Sequence, residues 1–289
     1  MLSEIIIGCG YLGRKVAEAR MQAGYEVTGV VRSKQSSRSL ESLGIHALRA
    51  DLDHDIMPDL GTGDSDVFYF APPPREGVMD TRIRNLVQSF EMHGQPRRVV
   101  YLSTTGVYGN CNGEWVDEER PVNPVVDRAK RRWDAEQAFR QWRDASGREL
   151  VILRVAGIYG PGKLPLDRLR KELPMIREEE APFTNRIHAD DLVQVCLAAM
   201  DRGVDGEVYN ISDGHPGTMT DYFNRIADRA GLPRPPLISM SEGEGKLSHG
   251  MMSYMAESRR LRNRKMLDQL GVELKYPDLD AGLDACFGK

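Results

Sequence analysis

The sequence predicts an α/β protein: a doubly wound parallel sheet with a small C-terminal lobe. Two observations point there. From residue 5 to residue 158, short apolar runs alternate with segments of helical periodicity. The first run, Ile5-Ile6-Ile7, breaks into Gly8-Cys9-Gly10-Tyr11-Leu12-Gly13, and a helical pattern opens directly behind it.

That strand–turn–helix context makes the glycine pattern a dinucleotide-binding signal. Gly8 permits the tight turn, Gly10 lets a diphosphate reach the backbone, and Gly13 lets the helix lie close to the strand. The diphosphate would sit at the helix N-terminus, where free N–H groups and the helix dipole favour negative charge. The alternative is a glycine-rich turn without a ligand. Leu12, Val16, Ala19 and Ala23 supply the apolar face of the helix, and Gly24 stops it.

The second strand is Glu26 to Val31. In an NAD site an acidic residue normally ends this strand and holds the ribose hydroxyls. Here Val31 takes that place and Arg32 follows. A guanidinium pairs with a 2′-phosphate that a carboxylate would repel, so NADP is expected over NAD, with NAD as the alternative. Arg32 could equally be a solvated loop charge. Ile45 to Ala50 and Asp66 to Ala71 read as the third and fourth strands, and Pro72-Pro73-Pro74 closes the fourth. A helix with Ile83, Leu86, Val87 and Phe90 leads to a fifth strand, Arg98 to Ser103. Lys130 to Ala145 is helical, Leu150 to Ile158 is a strand, Leu192 to Met200 is an apolar helix, and Val208 to Ser212 is a short strand. Met240 to Met255 is rich in Ser, Gly and Met and reads as a mobile loop, and Ser258 to Leu270 as one basic helix.

Residues 1–160 with about 187–213 are therefore expected to form the dinucleotide-binding unit. About 161–186 and 214–289 would form the smaller substrate lobe. Lys163, Arg168, Arg170 and Lys171 in that lobe would suit a phosphorylated or carboxylated ligand, or simply form a solvated face.

Composition narrows the function classes. The 289 residues carry a net charge of −4 and no long basic block, so nucleic acid is not an implied partner. No apolar run is long enough to span a membrane. The four cysteines are scattered, the six histidines lack metal-ligand spacing, and no export signal precedes the first strand. A cytoplasmic protein with reduced thiols and no metal is the expectation.

Five motifs occur in order: the glycine turn, Asp51-Leu52, Ser103-Thr104-Thr105-Gly106-Val107-Tyr108-Gly109, Arg154-Val155-Ala156-Gly157-Ile158-Tyr159-Gly160-Pro161-Gly162, and Ile187-His188-Ala189-Asp190-Asp191. Together they resemble the extended short-chain dehydrogenase/reductase superfamily, which includes nucleotide-sugar epimerases and dehydratases, and within it an atypical bacterial branch. The resemblance implies a Rossmann fold and a small polar substrate, with a homodimer allowed. It implies cofactor contacts from Gly8, Gly10, Tyr11, Leu12 and Gly13, with Asp51 and Leu52 at the adenine. Ala71 and Pro72 would pass the phosphates and nicotinamide ribose. Thr104 matches the active-site Ser/Thr, and Lys130 the lysine of the catalytic Tyr-x-x-x-Lys pair. Arg186 and His188 fall in the segment beside the substrate cleft.

One position departs from the pattern. The tyrosine of Tyr-x-x-x-Lys would be residue 126, which is Val126. A phenol near a lysine and a cationic nicotinamide can be deprotonated and take a substrate proton, and valine cannot. Lys130 could still bind a ribose hydroxyl. Either the acid/base has moved, with Tyr108 the first candidate and His188 the second, or the protein binds NADP(H) and reports on it without turnover. Tyr108 could also be a packing tyrosine, and His188 a structural histidine.

Overall fold

The computed structural model of the chain describes residues 3–54 and 58–288. Seven parallel strands form its centre: β1 (Ser3–Ile7), β2 (Glu26–Val31), β3 (His46–Arg49), β4 (Asp66–Tyr69), β5 (Arg98–Thr104), β6 (Glu149–Val155) and β7 (Val208–Ile211). Their order is β3-β2-β1-β4-β5-β6-β7. β1 pairs with β2 on one side (Ile7 opposite Val30) and with β4 on the other (Ile7 opposite Tyr69). The crossovers therefore leave β1 in opposite directions, and a crevice opens beyond the strand ends at that point.

Both faces of the sheet are covered, which explains why its strands read as continuous apolar runs. Ile5, Ile6 and Ile7 are each at most 1% exposed. Burying an isoleucine side chain contributes about 1.5–3 kcal/mol. Successive side chains alternate faces. Ile6 joins Phe68 and Val100 beneath α1 (Tyr11–Gln22) and, later in the chain, α6 (Ala189–Arg202). Ile5 and Ile7 join Tyr69 and Tyr101 beneath α3 (Thr81–His93) and α4 (Asp127–Ser146). The short α2 (Lys34–Glu41) follows β2, with Ser33 accepting from Ser36 N as its cap. An ion triad, buried at Glu4 and Arg20 and open to solvent at Asp201, ties β1, α1 and α6 together: Arg20 reaches Glu4 at 2.6 Å and Asp201 at 2.7 Å.

A second, smaller core gathers Tyr159, Leu169 of α5 (Leu166–Arg170), Tyr222 and Phe223 of α7 (Met219–Ala230), and Leu283 of α11 (Leu279–Phe287). Three expectations are corrected here. Residues 240–255 are not a loop but two short helices, α8 (Met240–Lys246) and α9 (His249–Met255). Ser239 and Ser248 cap them, and Met251 and Met255 pack towards Ile176 and Ile238. Residues 258–270 are not one helix: Arg260–Leu261 pairs with Trp115–Val116, and only then does α10 (Arg264–Leu270) begin. Finally, α10 does not join the small core. Met266, Leu270 and Val272 pack into the main core with Leu192 and Tyr209.

Candidate functional site

Two clefts meet at the carboxyl ends of the strands. The first, about 470 Å³, is lined by Gly8, Gly10, Arg14, Arg32, Ser33, Ser36, Asp51, Leu52, Ala71 and Pro72, among others. The local geometry explains its shape. Gly8 has φ +86°, and a Cβ there would fall 2.6 Å from Ala71 Cα. Backbone cannot yield to that contact, so only glycine lets β1 turn beside the Ala71 loop. At Gly10 a Cβ would find no atom nearer than 3.9 Å, so the space over this residue is open. Gly10 caps α1 without a side-chain bond, which leaves the first-turn amides of Tyr11 and Leu12 without a capping acceptor. Gly13 sits 3.1 Å from the Ile6 side chain by the same construction, close packing of helix on strand. These residues fit a dinucleotide diphosphate.

Around the far end of this cleft, Arg32 is 66% exposed and lies 4.0 Å from Asp53, whose carboxylate is engaged chiefly by Arg82 at 2.6 Å. Arg82 also donates to the Pro72 carbonyl at 2.7 Å, fixing the loop that closes the wall. Asp51 accepts from the Asp53 amide, and the Leu52 carbonyl accepts from Asn85. Tyr11 and Leu12 do not line this cleft with side chains. Leu12 is buried in the main core, and the Tyr11 hydroxyl donates to the Pro161 carbonyl at 3.0 Å.

The second cleft, about 580 Å³, holds Thr104, Thr105 and Gly106 at the end of β5, Val155 to Ile158 after β6, and Arg186. Thr104 Oγ1 accepts from Gly106 N at 3.2 Å and caps the turn Thr105–Tyr108. Two residues expected here are placed elsewhere. Tyr108 is 1% exposed, its hydroxyl donates to Asn210 Oδ1 at 2.8 Å, and burial pushes its pKa up to about 12. It lies outside the cleft lining, beneath the Arg154 guanidinium. Lys130 is turned away from the cleft and pairs with Asp127 at 3.7 Å. The α4 side chains that line the cleft are Arg128, Ala129 and Arg132. The spacing of Arg128 and Arg132 places both on one helix face, a signal readable in the sequence but overlooked in favour of Lys130.

His188 is also taken up by the fold. It is 1% exposed, its Nδ1 accepts from Asp190 N to cap α6, and its ring packs 4.1 Å from that of Tyr276. Burial lowers its pKa, so the neutral form is favoured. Arg186 does face the cleft. Its guanidinium lies 4.1 Å over the Tyr222 ring, and burial lowers its pKa. Gly157 makes room for it, since a Cβ there would collide with that guanidinium. Lys163, which the sequence offered for an anionic ligand, lines the cleft too, and Tyr222, Tyr254, Glu257 and Arg259 are lining residues that sequence reasoning did not assign.

Among the described residues, no helix is long and apolar enough to cross a membrane.

Comparison with known proteins agrees with this architecture. Residues 81–212 match the model of the NAD dependent epimerase/dehydratase family. Protein YeeZ of Escherichia coli strain K12 is 26% identical over 285 residues, covering 94% of this chain and 96% of its own. A conserved protein from Silicibacter pomeroyi, itself of unknown function, has a solved structure that superposes with a TM-score of 0.87. It is 31% identical and covers 100% of this chain and 99% of its own. The UDP-glucose 4-epimerase of Thermotoga maritima, solved with UDP-glucose, superposes with a TM-score of 0.80 at 19% identity, covering 99% and 98%, a likeness of fold. Together with the sheet order and the glycine turn, these matches assign the chain: it belongs to the NAD-dependent epimerase/dehydratase family of the extended short-chain dehydrogenase/reductase superfamily.

Proposed function

We propose that the protein binds NADP(H) in the first cleft and acts as an oxidoreductase or epimerase/dehydratase-like enzyme on a small polar substrate in the second. The observation that carries the cofactor preference is the end of β2. Val31 stands where a ribose-binding carboxylate would be, and Arg32, Ser33, Ser36 and Arg14 surround the space beyond it. A guanidinium and hydroxyls there suit a phosphate. Gly8, Gly10 and the start of α1 would hold the diphosphate, while Asp51, Leu52, Ala71 and Pro72 would form the walls. The nicotinamide, when bound, exchanges hydride with the substrate. Thr104, at the end of β5 in the second cleft, is the hydroxyl placed to hydrogen-bond a reacting oxygen. A nucleotide sugar, which the Thermotoga maritima epimerase holds in its structure, is one substrate of the right kind, and the protein would work as a soluble cytoplasmic monomer or homodimer.

A second reading, an NADP(H)-binding regulator without turnover, is favoured by one observation. The phenol expected beside the nicotinamide is absent at Val126, the N-cap of α4, and the Tyr108 hydroxyl is committed to Asn210.

Calorimetry decides the cofactor. A partly exposed charge-assisted contact contributes about 1–2 kcal/mol, less than the upper range because solvent screens it. Arg32→Ala should therefore narrow the NADPH-over-NADH affinity ratio by about 5- to 30-fold, and an unchanged ratio would refute the phosphate contact. Cofactor absorbance with sugar nucleotides and carbonyl compounds then separates enzyme from regulator.

A further inference from the structure

Of the five cations that line the second cleft, four form a group: Arg128, Arg132, Lys163 and Arg186. Among the described residues, no carboxylate lies within ion-pair distance of any of them. Several arginines elsewhere in the fold are neutralised by direct contact, whereas Arg131, Arg168 and Arg202 bond to carbonyls. Arg20, Arg82, Arg84 and Arg154 each sit within 2.8 Å of a carboxylate. The cleft cations are held by neutral groups instead. Arg128 stacks 4.1 Å over Tyr254 and bonds to Ser253 Oγ. Arg132 donates to the Ala71 carbonyl and to the Tyr101 hydroxyl, both at 3.3 Å. Lys163 lies 4.8 Å over the Tyr11 ring. Arg186 rests on Tyr222, and its Nε is buried without any acceptor. The single carboxylate of the lining, Glu257, already pairs with a fifth cation, Arg259, at 3.0 Å.

Aromatic faces and carbonyls orient a guanidinium without neutralising it. Four charges without a contacting carboxylate, with only the more distant Asp80 and Asp213 acting on Arg132 and Arg186, cost desolvation in one concavity, and low-dielectric walls focus their field on the space between them. Such an arrangement is complementary to a multiply charged anion, which planar guanidinium forks grip in pairs of hydrogen bonds.

We infer that the second cleft selects substrates bearing a compact oxyanion of charge −2 or more, a phosphate-type or dicarboxylate group, gripped by Arg128 and Arg132 of α4 together with Arg186. This deepens the proposed function by naming the substrate class, and it rests on NADPH filling the first cleft. Residues at the α4 face then anchor substrate rather than move a proton.

The test is calorimetry on the full chain saturated with NADPH, at low salt, with inorganic pyrophosphate and malonate titrated separately. One of the two should bind one-to-one; which one names the source of the charge. Arg132→Met and Arg186→Met should each weaken that binding at least tenfold. Arg234→Ala, which removes an exposed cation paired with Asp228, should leave it unchanged. Binding of neither probe, or binding by the two Met variants as tight as by the wild-type protein, overturns the inference. Melting temperatures check that each variant is folded, and Arg186→Lys, which keeps charge but loses the fork, stands in if the Met variant unfolds, with the same tenfold loss expected. Should NADPH itself fail to bind, the dinucleotide reading falls alone. The same titrations without cofactor still judge the cleft, by whether binding depends on Arg132 and Arg186 or on Arg32.

Discussion

Replacing Glu136 with Ala would strand a guanidinium inside the protein. Glu136 and Arg154 are 0% and 4% exposed. They meet through two bonds, Arg154 Nη2 to Oε2 at 2.8 Å and Nε to Oε1 at 3.1 Å, and Ser103 donates to Oε1 at 2.6 Å. Burial by itself would lower the Arg154 pKa, but the Glu136 carboxylate more than offsets this, and the net direction is up. Removing one member of such a pair costs about 3–5 kcal/mol. The unfolding entropy of about 2.1 cal/mol/K per residue gives roughly 0.6 kcal/mol/K for 289 residues. The expected fall in Tm is then about 5–8 °C. Urea unfolding followed by tryptophan fluorescence suits the measurement, because Trp133 and Trp142 lie on α4 with Glu136. Glu136→Leu combined with Arg154→Met should recover most of the loss, since apolar groups of similar volume need no partner. If the single change costs under about 1 kcal/mol, or the double change costs as much as the two singles together, the pair is not the support for the end of β5 that its geometry implies.

Tyr108→Phe should leave NADPH affinity unchanged and lower stability by about 1–2 kcal/mol, because a buried hydrogen bond to Asn210 is lost. Loss of turnover at unchanged stability would instead make Tyr108 the relocated acid/base. Asp80 is 0% exposed and caps α3, and burial pushes its pKa up to about 6. An unfolded aspartate titrates near ~3.9. The folded protein therefore binds the extra proton between those values. The stability this proton confers is complete below about pH 4 and is lost as pH rises through about 6, by at most roughly 3 kcal/mol. Asp213 is pushed to about 6 as well, also by burial. Asp80→Asn keeps a capping side chain and should about halve the loss in stability between pH 4 and 7. Superimposable pH profiles for wild type and variant would refute this.

Much of the main sheet was legible because its signals are local. Four of the five strands from Ile5 to Ser103 are mainly apolar runs bounded by glycine, proline or charge, as a covered parallel sheet demands, while the edge strand β3 is partly exposed. The segment from Met240 to Met255 misled because glycine and serine argue against helix, yet Ser239 and Ser248 cap two short helices that survive by packing on Ile176 and Ile238. The break at Arg260–Leu261 was hidden for another reason. Its partner, Trp115–Val116, lies about 145 residues away, and no local pattern announces such a pairing.

The sequence by itself determined the glycine turn, the strand before it and the helix behind it, and the Val31-Arg32 end of β2, because each depends on backbone freedom, apolar patterning or charge at neighbouring positions. Only the tertiary structure decided which side of α4 meets the cleft. That helix is charged around most of its circumference, so its rotation is set by what Ala135, Phe139 and Trp142 bury. Packing of those three side chains turns Arg128 and Arg132 inward and Lys130 to the outside.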